Sequence, residues 1–340
     1  MKDVAVVILN WNGLNFLEKF LGDVVKHSGD AQVVVADNDS SDASLDYVKK
    51  AFPSVKIILN ESNGGFAKGY NDALKRVDAK YYILLNSDIE VTENWIRPLL
   101  AQMNDDNIAG CQPKIRSYHK KSHFEHAGAS GGYLDKNYFP FCRGRIFSHV
   151  EEDRGQYNDT KEVFWATGAA FMIRADAYHE VGGFDEDFFA HMEEIDLCWR
   201  LKKRNYRFLI VPESTVYHVG GGTLPYTSPR KTYLNFRNSL MMIIKNHDGL
   251  LFPKLFHRLC IDGIAACRFI LSGEFSNFAA VFKAHMYQYS HFRTLLRKRK
   301  SIRNSSTQFN TTGLFGQNIL WNNYVKGIKE FSKLNQRFFK

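Results

Sequence analysis

Cysteine is scarce in this 340-residue chain, and what there is does not pair. Cys111, Cys142, Cys198, Cys260 and Cys267 are odd in number and widely spread, with no Cys-x-x-Cys. That argues against a disulfide framework and a thiolate zinc site, and fits reduced thiols in a cytoplasmic protein. Long apolar runs are also missing. The nearest, Leu259 to Leu271, carries Asp262 and Arg268 and falls short of a membrane span. The opening run Val4 to Leu9 is too short for a signal-peptide core and reads as a buried strand. Neither Gly-x-Gly-x-x-Gly nor Gly-x-x-x-x-Gly-Lys-Ser/Thr occurs, which counts against a nicotinamide dehydrogenase and a P-loop ATPase. Acidic residues are the minority, 36 against 45 Lys and Arg, leaving a net charge of +9.

With 44% hydrophobic residues the chain can build a large core. Its first half alternates strand-length apolar runs (Val4 to Asn10, Gln32 to Asp37, Val55 to Asn60, Tyr81 to Asn86) with helical stretches near Leu14 to Lys26, Ala43 to Ala51 and Phe66 to Val77. This alternation predicts an α/β fold with a mostly parallel central sheet covered on both faces. Ligands of such sheets bind beyond the carboxyl ends of the strands. Each run here ends in polar punctuation: Asn10-Trp11-Asn12-Gly13, Asp37-Asn38-Asp39-Ser40, Asn60 to Gly65 and Asn86-Ser87-Asp88. Four polar tips on one sheet edge make a binding site. Residues 116 to 162 read as a mixed loop in which His119, His123 and His126 are surface residues. A strand is expected over Val163 to Ile173, then two short ones, Arg207 to Val211 and Thr215 to Val219, broken by Pro212. Beyond about Tyr233 strand signals disappear and amphipathic helices alternate with basic residues.

The most informative segment runs from Gly182 to Arg200. It sets Asp185, Glu186, Asp187, Glu193, Glu194 and Asp196 among aromatic and aliphatic residues. Burial raises a carboxyl pKa, which suits a general base. Helical spacing gives Glu193, Asp196 and Arg200 one face and Met192, Ile195 and Trp199 another. A solvated acidic loop leading into an amphipathic helix is the plain alternative. Asp88, just past a buried strand, could hold a divalent cation of the Mg²⁺ or Mn²⁺ kind together with phosphate oxygens; its plain alternative is an Asx-turn. Asn63-Gly64-Gly65-Phe66-Ala67-Lys68 places glycines before a helix start, where backbone can approach a phosphate.

In this order and spacing, Ile8 to Gly13, Asp37 to Asp42, Asn63 to Ala67, Leu84 to Asp88, Val181 to Asp185 and Glu193 to Leu197 resemble the family 2 glycosyltransferases, most of all their bacterial rhamnosyltransferase-like and galactofuranosyltransferase-like branch. The resemblance covers roughly residues 3 to 245. It implies the GT-A nucleotide-diphospho-sugar transferase fold and an inverting transfer of a sugar from a UDP- or dTDP-linked donor to a hydroxyl of a glycan or lipid-linked acceptor in cell-surface polysaccharide synthesis. Asp37 and Asn38 match positions that contact nucleobase and ribose, with Leu9, Asn10 and Trp11 as a wall of that pocket. Asn63, Gly65, Lys68, Asn86 and Ser87 complete the expected nucleotide-sugar contacts. Asp88 matches the last member of a DxD-like motif whose first position here is Asn86, and His218 matches a histidine that can add a metal ligand; without the resemblance His218 reads as a core histidine. The base is placed at Glu194, with Glu193 as the alternative, where the family more often has Asp as the second member.

The expected organisation is a catalytic domain over residues 1–235, with a nucleotide-binding half to about 115 and an acceptor-binding half from about 116, followed by a helical, basic extension over 236–340. Two rivals stand beside the transferase: a non-catalytic carbohydrate- or partner-binding protein that kept the fold, and a sugar-nucleotide pyrophosphorylase. The pyrophosphorylase would need a basic phosphate loop that Asn-Trp-Asn-Gly does not provide. The basic run Arg293 to Arg303 lacks interleaved stacking aromatics, so no nucleic-acid partner is expected. It offers instead either a contact with the inner face of the cell membrane or a homodimer contact, in a protein otherwise placed in the cytoplasm.

Overall fold

The structure, a computed structural model, describes residues 2–220 and 228–340; the Gly221-Gly222 end of the motif following His218 lies outside them. The first half alternates as its apolar runs dictate: β1 (Lys2–Asn10), α1 (Leu14–His27), β2 (Gln32–Asp37), α2 (Ser44–Ala51), β3 (Lys56–Leu59), α3 (Gly65–Leu74) and β4 (Ala79–Asn86). Alternate residues of β1 serve opposite faces. Val4, Val6 and Ile8 pack with Leu17, Leu21 and Val24 of α1, while Ala5 and Val7 pack with Ala67, Tyr70 and Leu74 of α3. A sheet buried on both sides needs such near-continuous apolar strands.

The chain continues through β5 (Ile89–Val91), α4 (Ile96–Gln102), β6 (Ile108–Ser117), β7 (Gly132–Asp135), β8 (Pro140–Cys142), β9 (Arg145–Ile146), β10 (His149–Val150), β11 (Lys161–Val163) and β12 (Ala170–Arg174). Then follow α5 (Ala175–Glu180), α6 (Glu193–Lys202), β13 (Arg207–His218), α7 (Pro229–Asn246), α8 (Leu251–Leu271), α9 (Phe275–Asn304) and β14 (Leu314–Phe315). The large sheet has the order β11-β13-β6-β12-β4-β1-β2-β3, with β5 on β13. β4, β1, β2 and β3 are mutually parallel; β12 enters antiparallel between β4 and β6. Strand order reverses beside β1, so the carboxyl ends of β1 and β4 flank the crevice where such sheets take ligands.

Three expectations about elements need correction. Residues 116 to 162 are not a loop: β7 to β10 form a second sheet, in which Gly132 lies so close to Trp165 that a Cβ would meet its ring at 2.0 Å. The strand expected over Val163 to Ile173 is two strands, β11 and β12, separated by a turn. Pro212 does not break β13 in two; the strand runs through with a register shift between Val211 and Thr215, the bulge a residue without an N–H imposes.

The tail also returns to the sheet. β14 pairs in parallel with β7, and Phe315 and Phe331 join Tyr133 and Phe141 in one aromatic cluster. No periodicity announces a two-residue strand. Phe331 is buried, so Phe331→Ala should destabilise the whole protein by about 3 kcal/mol, the usual cost of emptying a buried phenyl site. Urea unfolding checks this; a loss below about 1 kcal/mol would mean that the tail is dispensable to the fold.

Candidate active site

At the strand tips the polar residues turn first toward one another. Asn10 is fully buried, and its amide nitrogen reaches Asp37 Oδ1 at 2.9 Å, Ser44 Oγ at 2.9 Å and Ser40 Oγ at 3.1 Å. Asp37 Oδ2 accepts from the Ser40 N–H at 2.9 Å, and Asn12 Oδ1 from the Ser41 N–H at 2.7 Å. The loops after β1 and β2 are thereby zipped into one floor. Asn38, also buried, donates to Asn63 Oδ1 and to the Gly65 carbonyl, both at 3.1 Å. Leu9 is half-buried, whereas Trp11 stands 49% exposed above this floor, and Ser87 borders the Gly13 turn. Lys68 is turned away into an ion pair with Asp72 one helical turn on.

The glycines of Asn63-Gly64-Gly65 do not cradle a phosphate at the α3 N-terminus, as the sequence suggested. The Phe189 carbonyl accepts from the N–H groups of Phe66 at 2.7 Å and Ala67 at 3.3 Å, so this helix end is already capped. Gly65, at φ +82°, is required because a Cβ would meet that carbonyl and the Phe189 ring at 2.6 Å. Asn71, two turns along α3, donates to the Phe184 carbonyl at 2.9 Å and to Glu186 Oε1 at 3.1 Å. The glycine motif and the acidic motif are the two halves of one contact.

Beyond that contact the backbone is strained. Phe189, His191 and Met192 all have positive φ (+63°, +71° and +72°), and α6 begins immediately after them. Helix α7 holds this turn: Asn238 Nδ2 donates to the carbonyls of Phe188, Ala190 and His191 at 3.0, 2.8 and 2.7 Å, and Arg237 to those of Asp187 and Phe188 at 2.8 Å. Asp185 and Asp187 are pinned from the tail. Lys245 reaches Asp185 at 2.5 Å, and Lys298 reaches Asp185 at 2.6 Å and Asp187 at 2.7 Å. Burial would raise the Asp185 carboxyl, but those two lysines hold it well below the usual carboxylate range.

Three carboxyls at the start of α6 meet different fates. Asp196 is fully buried and takes Arg200 Nε and Lys245 Nζ at 2.8 Å and Asn246 Nδ2 at 2.7 Å; these cations outweigh its burial and lower its pKa. The expected pairing of Asp196 with Arg200 is thus present, and Arg200 also donates to the carbonyls of Val181 and Gly183. Glu193 is buried with Oε2 unpartnered, and burial, then Glu194, then Asp196 push its pKa well up. Glu194 is part-exposed with Oε2 likewise unpartnered. Burial pushes it up to about 7, against the pull of backbone N–H groups at the helix start. Near neutral pH Glu194 is thus poised between its two forms, beside a Glu193 that burial shifts toward its neutral form.

Across the site, Asp88 and His218 come together although 130 residues apart. His218 Nε2 lies 3.1 Å from Asp88 Oδ1, and its Nδ1 lies 2.9 Å from Glu125 Oε2. Burial would lower the His218 pKa, but the hydrogen bonds to Asp88 and Glu125 push it up to about 10. Asp88 Oδ2 also accepts from the Gly220 N–H at 3.2 Å, and Asn86 Nδ2 is 3.5 Å from His218 Nε2. Lys231 of α7 acts electrostatically on both Glu125 and His191, linking the Asp88 side to the α6 side.

The profile of glycosyl transferase family 2 matches residues 5–182, more than half of the chain. This protein belongs to that family. The family 2 chain is 26% identical over 236 residues to an N-acetylglucosaminyl-diphospho-decaprenol L-rhamnosyltransferase of Mycobacterium tuberculosis, covering 64% of this chain and 76% of that one. It is 22% identical over 249 residues to the low-salt glycan biosynthesis hexosyltransferase Agl10 of Haloferax volcanii, covering 71% and 75%. Among solved structures, the mannosyltransferase PcManGT of Pyrobaculum calidifontis, in complex with GDP-Man and Mn²⁺, superposes with a TM-score of 0.52 at 13% identity, over 88% of this chain and 85% of that one. GalNAc-T7 with UDP, GalNAc and Mn²⁺ superposes at 0.54 and 19%, over 72% of this chain and 48% of that one. The fold is therefore GT-A, and the protein is a glycosyltransferase of the rhamnosyltransferase-like branch.

Several residues around the site of this glycosyltransferase escaped sequence reasoning. Glu125, which fixes the His218 ring, sits in what looked like a surface loop. Arg237, Asn238, Lys245 and Lys298 lie on helices whose period says only that they are amphipathic. His191, half-buried, with its Nε2 buried and unpartnered among the described residues and its pKa lowered to about 4 by burial and then Lys231, carries no motif of its own.

The state of Glu193 is open to a direct test. Its folded pKa lies above the ordinary 4.5, so stability is fully present below that value and is lost as pH rises and the unfolded carboxyl ionises. Glu193→Gln should match the parent in urea unfolding near pH 4.5 and exceed it by more than about 1 kcal/mol at pH 8. A difference that does not grow with pH would place an ionised Glu193 in the fold.

Proposed function

We propose that this glycosyltransferase inverts the anomeric centre while moving a sugar from a UDP- or dTDP-linked donor to a hydroxyl of a glycan or lipid-linked acceptor, with Glu194 as the base. The observation carrying the proposal is the Glu194 carboxyl, raised to about 7 at the end of a strained, clamped turn that packs against the strand-tip glycines. A base with a pKa near the working pH combines a useful ionised fraction with real proton affinity. Burial and the neighbouring Glu194 raise the Glu193 carboxyl, which disfavours a second negative charge beside the base. One in-line displacement, with the acceptor proton passing to Glu194, gives inversion.

The nucleotide half is proposed to extend to about residue 115, the acceptor half to about 235, and the extension over the remainder. In the first, Leu9 and Trp11 wall the nucleoside pocket, Asn10, Asp37 and Asn38 hold its floor, and Asn63, Gly65, Asn86 and Ser87 border it, with Lys68 joining them only on leaving Asp72. Asp88 and His218 would serve a divalent cation, Mn²⁺ or Mg²⁺, only after the imidazole gives up the Nε2 proton it now shares with Asp88. They would then offer one carboxylate oxygen and one nitrogen, with Glu125 fixing the ring from behind. Such a cation would stabilise charge on the departing diphosphate. The solved relatives named above carry Mn²⁺ with nucleotide or nucleotide-sugar, which supports the same reading here. The rhamnosyltransferase relatives favour dTDP- over UDP-linked donors as the first to be screened, and a lipid-diphosphate saccharide as the first acceptor.

Two substitutions test these roles. Glu194→Gln should lower kcat by roughly a hundred- to ten-thousandfold with nucleotide affinity unchanged; near-normal turnover would remove Glu194 as the base. Asp88→Asn should raise the Mn²⁺ concentration needed for half-maximal transfer by at least about tenfold, and an unchanged requirement would make Asp88 a turn residue.

A further inference from the structure

The hairpin formed by α8 and α9 is built inside out. On its inner side Arg258 and Asp262 form a buried ion pair at 2.9 Å, and His285 of α9 lies 3.5 Å from Asp262. Arg258 also covers the Phe139 ring at 3.9 Å, fixing α8 to the second sheet. The outer side carries the apolar residues. Phe252, Phe256, Cys260, Ile264, Cys267 and Leu271 recur every three or four positions, and all are exposed, Phe252 at 79% and Leu271 at 89%. Across the Ser272-Gly273-Glu274 turn the stripe continues through Phe275, Phe282, Met286 and Tyr289, again exposed. Helix α8 alone is about 30 Å long, so the face exceeds the scattered apolar exposure of ordinary surfaces.

Charge identifies what covers this face. Residues 251–304 carry ten Lys and Arg against two acids, Asp262 and Glu274, so +8 of the net +9 lies on the hairpin. Asp262 is buried, leaving Glu274 as the exposed acid there. Arg258 and Arg299 are buried and Lys298 is ion-paired inward, but Arg268, Lys283, Arg293, Arg297, Lys300 and Arg303 are exposed. A second copy docking symmetrically would therefore bring like charges face to face, which is repulsive. An anionic bilayer offers the opposite charge together with an apolar interior. No helix among the described residues is long and apolar enough to cross a membrane. An apolar stripe flanked by Lys283, Arg293, Arg297 and Lys300 suits a hairpin lying in the interface plane.

We propose that the outer face of the α8–α9 hairpin docks this protein on an anionic lipid surface. The same α9 carries Lys298, which pins Asp185 and Asp187 of the active-site loop, so docking holds that loop beside the bilayer. A lipid-linked acceptor would be presented there; this last point rests on the acceptor class proposed above, whereas the docking itself does not.

The test uses the full chain with phosphatidylcholine vesicles, plain or containing roughly one-third phosphatidylglycerol, and no sugar substrates. The protein should float with the anionic vesicles at least about tenfold more than with neutral ones, and high salt should release it. Cys260 and Cys267 are exposed while Cys111, Cys142 and Cys198 are buried, so maleimide should modify two thiols in free protein and neither when anionic vesicles are bound. Phe256→Glu and Ile264→Glu, on the exposed face, should each lower vesicle binding about tenfold and leave transfer to a short water-soluble acceptor intact. Absent flotation, equal binding to neutral vesicles, or protection of the two thiols that rises with protein concentration without lipid would each overturn the proposal, the last by assigning the face to a second copy. Docked protein that fails to transfer to a lipid-linked acceptor while still serving a water-soluble one would instead count against the proposed acceptor class and leave the docking standing.

Discussion

Everything that makes this site depends on where the backbone turns between Phe189 and Met192. That turn has three non-glycine residues at positive φ, each costing of order 1–3 kcal/mol, and persists because both sides are committed. On one side the Phe189 carbonyl caps α3; on the other Asn238 donates to the carbonyls of Phe188, Ala190 and His191. The turn decides the direction in which α6 starts, and hence that Glu193 is buried while Glu194 is part-exposed. Its strain is stored where the chemistry is proposed.

The second constraint is electrostatic segregation. Six carboxylates crowd one segment of a cationic protein, and the fold sorts them by supplying or withholding cations. Asp185 and Asp196 receive Lys245, Lys298 and Arg200, which hold their carboxyls below the usual range, and Asp187 is ion-paired with Lys298. Glu193 and Glu194 receive no such partner, and burial drives them toward the neutral form. Helices α7 and α9 supply the two lysines, so the tail takes part in setting the protonation of the cleft. The Asp88–His218–Glu125 line on the opposite side is sorted the other way, with a cationic imidazole held between two acids.

The alternating half of the chain was legible because its strands are buried on both faces and their apolar runs stop at polar tips; β2 begins and ends where the run Gln32 to Asp37 does. The site residues Asp88, His218, Glu193 and Glu194 were legible through a family pattern, and the structure brings the first two into contact. Less legible was what the tips do. Asn10, Asp37 and Asn38 form an internal network, since register places Asn10 beside Asp37 and each is the other's nearest partner. The Gly64-Gly65 pair looked like a phosphate cradle because the same residue type serves any close approach, and here the approach is the Phe189 carbonyl. Contacts across more than a hundred residues, such as Asp185 with Lys298, leave no periodic trace and could not be read.

The fold tunes Glu194 to titrate near neutrality beside a Glu193 whose carboxyl burial raises. The most direct measurement is the pH dependence of kcat/KM for sugar transfer at saturating cation, compared between the parent and Glu194→Gln. The account predicts a parent profile that rises about tenfold per pH unit below an inflection near 7 and is flat above it, with that inflection absent in Glu194→Gln. A parent profile that is flat from acidic to neutral pH, or an inflection that survives the substitution, would contradict it.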